Sequence, residues 1–278
     1  MKSILKFSLS TLIILLFFGC KQEPKSLNSE QENRKKIEMV TNYGTMIIEL
    51  YNETPLHRDN FTNLVNNNAY DSLLFHRVIN EFMIQGGDPD SRKAQPNDEL
   101  GNGAVPYVVN AEFNKDLFHK KGALAAARDG NPKRASSGMQ FYIVQGKVSN
   151  DSLLTIAETR INGWLAEYYF KKDPINKPLV NSLEKAMENE NSKQYTLLND
   201  SITKMAKDYG NFERYTIPES HRQAYKTIGG TPHLDQNYTV FGEVIKGLEV
   251  LDSIASVPTV TSDRPAVDVR IHSVRSLQ

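Results

Sequence analysis

Runs of alternating apolar and polar residues lie on both sides of a middle segment whose apolar positions follow a different period. The stretches KIEMVT and GTMIIELY within 36–51 surround an Asn-Tyr-Gly turn, which predicts a β-hairpin. Thr54 followed by Pro55 predicts the cap and first turn of a helix, and another short helix is predicted at 248–254. Further short strands are predicted at 73–79, 82–85, 106–109, 122–127, 140–144, 238–244 and 267–274. Many short strands with few helices are typical of an antiparallel barrel or sandwich.

The middle segment, 147–226, instead repeats its apolar residues at helical spacing. One stripe contains Leu154, Ala157, Ile161, Trp164 and Tyr168, and a later one contains Leu198, Ile202, Met205 and Tyr209. Loops of this length are seldom structureless inside a compact domain. We therefore predict a helical insertion at 147–226, with Trp164 at the centre of its own small core, interrupting a β unit made of 36–146 and 227–278.

The start of the chain has the pattern of an export signal. Lys2 and Lys6 precede an apolar run at 12–18, which is too short to span a bilayer as a helix, and Gly19-Cys20 follows. This resembles a bacterial lipobox and predicts a signal peptide at 1–19, with Cys20 as the site of lipidation. Residues 20–35 are polar and predict a flexible tether. A plain signal peptide or an uncleaved anchor with an incidental cysteine remains the alternative.

Composition and motifs exclude several kinds of chemistry. The chain is 39% hydrophobic and 24% charged, with 33 basic and 33 acidic side chains, so its charge does not favour nucleic acid as a partner. It contains no HExxH, P-loop, CxxC or GxSxG motif, and its six histidines show no metal-ligand spacing. Ser136-Ser137-Gly138 offers hydroxyls without the context of a nucleophile. We predict no metal and no organic cofactor.

Four motifs occur in a characteristic order along the β unit. They are FHRVINEFMIQGGD from residue 75, KKGALAAARDG from 120, GMQFYIV from 138 and HLDQNYTVFGEV from 233. Together they resemble the cyclophilin family of peptidyl-prolyl cis/trans isomerases. The resemblance covers about 36–146 and 227–278 and implies a mainly β fold: a closed eight-stranded antiparallel barrel capped by two helices, here with an α-helical insertion.

The resemblance also implies an active site. Arg77 matches the family's catalytic arginine, with Gln85 hydrogen-bonding the substrate carbonyl or positioning Arg77, and Phe82 beside them. The residues expected to bind substrate are Met83, Ala127, Arg128, Gln140, Tyr142, His233, Leu234 and Tyr238. His233 stands where cyclosporin-sensitive members have tryptophan, so weak cyclosporin binding is expected. The hydroxyl of Tyr142 is expected to narrow the pocket or to meet water at its rim, and His76 to be a satisfied histidine behind the site.

The predicted function is therefore prolyl isomerisation that assists the folding of exported or envelope proteins. The substrates would be proline-containing unfolded or extended polypeptides, and the protein is expected to be a monomer held to the membrane by its N-terminal lipid. We expect it to face the periplasm, on the outer rather than the inner membrane, because Lys21 follows Cys20. The alternative is a cyclophilin-like chaperone or binding module whose helical insertion recruits partners.

Overall fold

The computed structural model describes residues 34–96, 98–131 and 133–277. The predicted signal peptide, the lipidation site Cys20 and nearly all of the tether lie outside these residues. Within the described part there are ten strands and six α-helices, and the order of elements follows the predicted one. Among the described residues, no helix combines the length and apolarity needed to cross a bilayer.

Eight strands form one antiparallel sheet. They are β1 (Lys36–Thr41), β2 (Gly44–Leu50), β3 (Phe75–Ile79), β4 (Met83–Gly86), β6 (Ala123–Ala126), β8 (Phe141–Val144), β9 (Val240–Lys246) and β10 (Ile271–Leu277), in the order β10-β1-β2-β9-β6-β8-β4-β3. Strands β5 (Val108–Val109) and β7 (Ser136–Ser137) pair separately.

The prediction of a closed barrel is wrong. The two edge strands, β3 and β10, are not joined by a ladder: the isolated bridge between Leu74 and Arg270 lies just before each of them. The sheet is therefore an open half-barrel, because closure needs a continuous ladder between its first and last strands.

Two helices cap this half-barrel, as expected. Helix α1 (Pro55–Asn66) and helix α6 (Leu248–Ala255) bury apolar side chains in the same core as the inward faces of the strands. Thr54 was predicted to cap α1, but its side chain makes no capping bond. The Glu112 carboxylate does so instead, accepting from the backbone N–H groups of Leu56 and His57, both at 3.0 Å. A carboxylate at a helix N-terminus also complements the helix dipole.

Four helices occupy the predicted insertion: α2 (Asp151–Lys172), α3 (Lys177–Glu188), α4 (Ser192–Ala206) and α5 (Glu219–Thr227). Helix α2 is long because both ends are stabilised: Asn150 accepts from the N–H of Leu153 at 2.9 Å, and Lys171 and Lys172 lie in its last turn. A small apolar cluster around Phe170, Leu183 and Ile202 joins α2, α3 and α4.

The insertion leaves and re-enters the sheet at adjacent backbone. Lys147 and Gly230 form an antiparallel bridge, with the N–H of Gly230 donating to the Lys147 carbonyl at 3.1 Å. Gly229 and Gly230 both have positive φ, and a Cβ at Gly230 would lie 2.3 Å from the His119 carbonyl oxygen, so a residue with a side chain would not fit there. The bridge between Lys147 and Gly230 lies directly before the segment that carries His233 and Leu234.

Candidate active site

Three adjacent strands place the main polar residues of the site on one face of the sheet. In the register of β3, β4 and β8, Arg77 lies opposite Gln85, and Gln85 lies opposite Tyr142. Residues directly opposite each other across a ladder project to the same face with their Cβ atoms close together. Short strands at these positions therefore suffice to bring the three side chains together.

A chain of hydrogen bonds fixes the orientation of Arg77. One Nη of Arg77 donates to Oε1 of Gln85 at 3.4 Å, and Nε2 of Gln85 donates to Oε1 of Gln140 at 3.0 Å. Nε2 of Gln140 in turn donates to the carbonyls of Gly101 and Gly103, at 2.9 and 2.8 Å. Since backbone carbonyls only accept, this end of the chain sets the direction of both amides. Gln85 thus uses both ends of its amide to hold its neighbours.

Asp263 holds the other side of the guanidinium. Its Oδ2 accepts from Nε of Arg77 at 3.2 Å, and the two side chains are 40% and 44% exposed. This contact comes from a short turn after α6, Thr261–Asp263, in which Ser262 and Asp263 have positive φ. Within the described residues, the remaining Nη of Arg77 has no partner, so it is free to donate into the adjacent cavity.

That cavity, here called the prolyl cavity, has a volume of about 320 Å³. Nine of the residues predicted from the sequence line it: Arg77, Phe82, Met83, Gln85, Ala127, Arg128, Tyr142, Leu234 and Tyr238. The wall also includes five residues that sequence reasoning did not assign to substrate binding: His76, Leu100, Gly101, Asn102 and Ser262. Met83, Tyr142 and Leu234 are buried and belong to one apolar cluster, so the floor is apolar and the polar groups stand at the rim.

Two predicted residues lie just outside the prolyl cavity. Gln140 is buried and lines a neighbouring cavity that shares Gln85, Gly101 and Arg128 with the first. His233 stacks on Phe82, with the ring centroids 5.8 Å apart. Burial lowers the pKa of His233 to about 4, assisted by the nearby Arg160 guanidinium. The His233 ring that packs on Phe82 is therefore uncharged at neutral pH.

The hydroxyl of Tyr142 points away from the cavity, into the protein. It lies 2.9 Å from Nε2 of His119, whose Nδ1 lies 2.8 Å from Oδ1 of Asp235. The other carboxylate oxygen of Asp235 accepts from the hydroxyl of Tyr225 on helix α5 at 2.8 Å. All four residues are buried. The expectation of a hydroxyl at the pocket rim is therefore wrong: it belongs to an internal network that joins the pocket floor to the insertion.

His76 is buried and forms part of the cavity wall, and it is not the satisfied histidine that was expected. Both ring nitrogens are buried and have no hydrogen-bond partner. Burial lowers its pKa to about 4, against the opposing field of Asp88. The ring is therefore neutral over the physiological range.

Trp164 lies outside the apolar core of the insertion. It packs at the edge of the apolar cluster that contains Met83, Tyr142 and Leu234. The prediction that Trp164 centres the core of the insertion is therefore wrong. Helix α2 lies against the Pro232–Leu234 turn, and this packing turns one face of the insertion toward the barrel.

A second polar group has triad-like geometry. Nδ1 of His57 lies 2.7 Å from Glu112, and its Nε2 lies 2.9 Å from Oγ of Ser136. Burial would raise the pKa of Glu112, but hydrogen bonds from the His57 ring and two backbone N–H groups outweigh burial and lower it. Ser136 is 1% exposed, so no substrate reaches its hydroxyl. The group ties α1 to β7 and does not act as a nucleophile.

Within the described ranges no cluster of three or more histidine, cysteine or acidic side chains is arranged to hold a metal ion.

The four sequence motifs implied an arginine beside an apolar cleft on an antiparallel β fold, and the structure has both, although the sheet is an open half-barrel instead of the closed barrel expected. The model of the cyclophilin type peptidyl-prolyl cis-trans isomerase family matches residues 36–158 and 175–276. The chain belongs to this family.

Curated relatives agree with this assignment, and solved structures agree with the fold. Proteins named "Putative peptidyl-prolyl cis-trans isomerase" from Staphylococcus epidermidis and Staphylococcus aureus are 30% and 32% identical over 250 and 251 residues, covering 89% of this chain and 95% of each relative. A cyclophilin type isomerase from Cryptosporidium parvum superposes with a TM-score of 0.51 at 19% identity, over 88% of this chain and 98% of that one. A second crystal structure of that protein, in the presence of the dipeptide Ala-Pro, gives 0.50 at 18% identity, over 87% and 99% of the chains.

Proposed function

We propose that this protein accelerates rotation about peptide bonds preceding proline in exported or envelope polypeptides, and that Arg77 stabilises the twisted amide. Membership of the isomerase family supplies the class of reaction. The observation that carries the role of Arg77 is its geometry: a guanidinium held by Gln85 and Asp263 at the rim of an apolar cavity.

The barrier that must be lowered comes from amide resonance. Rotation costs about 18–20 kcal/mol, and without catalysis it takes tens to hundreds of seconds. In the twisted state the proline nitrogen becomes pyramidal and regains a lone pair. A donor directed at that lone pair stabilises the twisted amide but not the planar one, which is the condition for catalysis. No bond breaks, so no nucleophile is needed.

The residues around Arg77 suit this role. Arginine stays protonated in apolar surroundings, so it remains a donor beside the buried Met83 and Leu234. Phe82, Met83, Tyr142 and Leu234 supply the apolar surface for a pyrrolidine ring. Gln85 accepts from Arg77 through its Oε1, which supports a positioning role, and the second N–H of its Nε2 has no partner among the described residues and can donate to the substrate carbonyl.

Replacing Arg77 tests the proposal. A hydrogen bond from a charged donor contributes about 1.5–3 kcal/mol, and about 1.4 kcal/mol corresponds to tenfold in rate, so Arg77→Ala should lower kcat/KM ten- to a hundredfold. Arg77→Lys keeps the charge but loses the planar fork, and should recover only part of the loss. Arg275→Ala, which removes an exposed arginine on β10, is the matched control. Equal rates for Arg77→Ala and the unaltered protein in a protease-coupled proline-peptide assay would remove Arg77 from the mechanism.

The cellular setting is also a proposal. We infer a lipid anchor at Cys20 after removal of 1–19, a tether at 20–35, and a catalytic unit facing the periplasm, on the outer rather than the inner membrane. The support is the basic start, the short apolar run and the Gly19-Cys20 pair. Palmitate labelling of the full chain and of Cys20→Ser tests it: a labelled serine variant, or an unlabelled native chain, would contradict the anchor.

A second candidate is a chaperone-like module, which exposed apolar side chains on the insertion favour. Leu153 and Ile156, three residues apart on α2, are 41% and 64% exposed. If these side chains hold unfolded chains, Leu153→Ser with Ile156→Ser should reduce suppression of aggregation while prolyl turnover of a short peptide persists. An unchanged suppression would reject the recruiting role of this face.

A further inference from the structure

A further cavity, distinct from the two described above, lies between the β unit and the insertion. It has a volume of about 400 Å³, and its wall includes Arg128, Arg134, Trp164, Tyr168, Lys171 and Tyr238. We call it the insertion cavity. Arg128 and Tyr238 line the prolyl cavity as well, so the two cavities are adjacent.

Arg134 is a buried cation without a carboxylate partner. Arg134 is 9% exposed, and its guanidinium lies between the rings of Phe113 and Tyr168, at 4.4 and 3.7 Å from their centroids. One Nη donates to the carbonyl of Gln236 at 2.9 Å, whereas Nε is buried and has no partner. Among the described residues no carboxylate lies within 4.0 Å of it. Burying a cation without a counter-ion is costly, so the arrangement favours an anionic ligand.

Arg128 is satisfied only by neutral groups. Its Nε and one Nη donate to the backbone carbonyl and side-chain oxygen of Asn237, at 2.9 and 2.8 Å, and the other Nη donates to the carbonyl of Asp129 at 2.8 Å. The guanidinium also lies over the ring of Tyr238, 4.7 Å from its centroid. Its position is fixed while its charge is left uncompensated.

The two carboxylates of the cavity wall, Asp129 and Glu167, already have partners in the same wall. Oδ1 of Asp129 accepts from the N–H and Nδ2 of Asn131, at 3.0 and 2.6 Å. Glu167 pairs with Lys171 at 2.6 Å, one turn away on α2. The wall carries three basic side chains against two acidic ones, so its net charge is positive, and this charge affects the pKa of Tyr168. Burial acts to raise the pKa of its phenol, yet Lys172 and Arg134 beside it lower that pKa overall.

We propose that the insertion cavity is a second substrate subsite that takes an acidic side chain, aspartate or glutamate, from a residue close to the isomerised proline. This inference rests on the proposed isomerase function and names its preferred substrates: extended polypeptides with an acidic residue near proline. The carboxylate would meet the guanidinium groups of Arg134 and Arg128, and the aromatic walls at Trp164 and Tyr168 would cover its methylene carbons.

Trp164 makes the test direct, because it is the only tryptophan of the chain and it lines the cavity. A set of short proline peptides would carry glutamate, alanine or lysine at one position, scanned over the three residues on each side of proline. Binding is followed by Trp164 fluorescence and turnover by kcat/KM. At one or more positions glutamate should bind about tenfold more tightly than alanine, as a charge-assisted hydrogen bond allows, and lysine more weakly than alanine. The preference should shrink as salt is raised.

Two variants locate the effect. Arg134→Gln removes the buried cation, and Lys171→Glu, at a side chain that is 18% exposed, reverses a charge on the wall of the cavity without removing a buried group. Either should reduce the glutamate-to-alanine ratio to about threefold or less, since each weakens the charge-assisted bond. Lys193→Glu makes the same change of charge on helix α4, at an exposed lysine outside the cavity wall, and should leave the ratio unchanged. If Arg134→Gln does not fold, Lys171→Glu still decides.

The outcomes separate this inference from the function on which it rests. Turnover of the alanine peptide with no glutamate preference at any position would overturn the subsite and leave the isomerase intact. The same holds for a preference that Lys171→Glu and Lys193→Glu change equally. If no peptide is turned over, the isomerase proposal fails, and the Trp164 titrations still decide whether the cavity selects carboxylates.

Discussion

Deleting the hydroxyl of Tyr142 separates the structural role of this residue from its place in the pocket wall. In Tyr142→Phe the ring that lines the prolyl cavity stays, and the contact to Nε2 of His119 at 2.9 Å is lost. An ionised Asp235 only accepts, so Nδ1 of His119 is the donor in their 2.8 Å contact. In the neutral ring, Nε2 is then left as a buried acceptor without a partner.

The magnitude follows from that orphaned group. Leaving a buried polar atom unsatisfied costs about 1–3 kcal/mol of unfolding free energy. For a domain of this size about 1 kcal/mol shifts Tm by 2–4 °C, so Tm should fall by about 2–12 °C. Because the hydroxyl points away from the cavity, kcat/KM should change by less than about threefold, which is below 1 kcal/mol.

Thermal unfolding followed by circular dichroism, with an isomerase assay at a temperature where both proteins are folded, measures the two effects. Tyr238→Phe is the matched control: it removes a hydroxyl from another tyrosine that lines the same cavity, and the hydroxyl of Tyr238 makes no hydrogen bond to any described residue. It should leave Tm almost unchanged. If both variants lose the same stability, or if Tyr142→Phe loses none, the buried network does not stabilise the pocket floor as argued.

Three further predictions concern groups around the site. Because the pKa of His76 is about 4 in the folded protein and about 6.5 in the unfolded chain, the unfolded state binds more protons between these values. The unfolding free energy should therefore fall by roughly 3 kcal/mol as the pH drops from 6.5 to 4. Denaturant unfolding of the protein and of His76→Asn should show a shallower decline in the variant. Gly87→Ala should cost about 1–3 kcal/mol, measured by urea unfolding, because φ there is +90° and the new Cβ would lie 2.5 Å from the Met139 carbonyl oxygen. Asp263→Asn should lower kcat/KM at most about fivefold, since its pair with Arg77 is exposed; a larger drop would show that the turn at 261–263 contributes more than orientation.

The order of strands and helices could be predicted because it depends on local patterns. The alternation of apolar and polar residues over 36–51 and the helical spacing of apolar residues from Leu154 onward each show which side of the element is buried. Whether the two edge strands of the sheet pair with each other could not be predicted from such local patterns. Strands β3 and β10 are far apart in the chain, and whether they pair in a ladder depends on how the whole sheet curves. Between the segments at these two strands, the isolated bridge of Leu74 and Arg270 is made instead of a ladder.

Most of the wall of the prolyl cavity could likewise be inferred, because a specific motif carries those residues together. What the motif did not contain was missed. Trp164 has the spacing of a core residue, and nothing local shows that α2 lies against Pro232–Leu234. The partner of the Tyr142 hydroxyl lies 23 positions earlier in the chain, at His119, and its bond depends on tertiary packing. Polar residues inside apolar stretches, as in DLFHK and PHLDQ, were the available signal for His119 and Asp235.

The insertion is consequently part of the site. Tyr225 from α5 donates to Asp235 beneath the pocket floor, and Trp164 from α2 packs at the edge of the apolar cluster that forms this floor. Removing residues 150–225 would therefore take away the Tyr225 hydroxyl and leave Oδ2 of Asp235 without this buried donor. Point variants on the outer face of α2 test recruitment more cleanly than deletion, because they leave these buried contacts in place.

The exchange between cis and trans prolyl peptide on the enzyme tests the central claim most directly. NMR exchange spectroscopy on a proline peptide, with the protein and with Arg77→Ala at matched saturation, measures rotation of the bound amide separately from binding. The account predicts that the exchange rate falls at least about tenfold in the variant, as loss of a charge-assisted bond to the twisted amide requires, while the dissociation constant changes little. An unchanged exchange rate at equal saturation would contradict it.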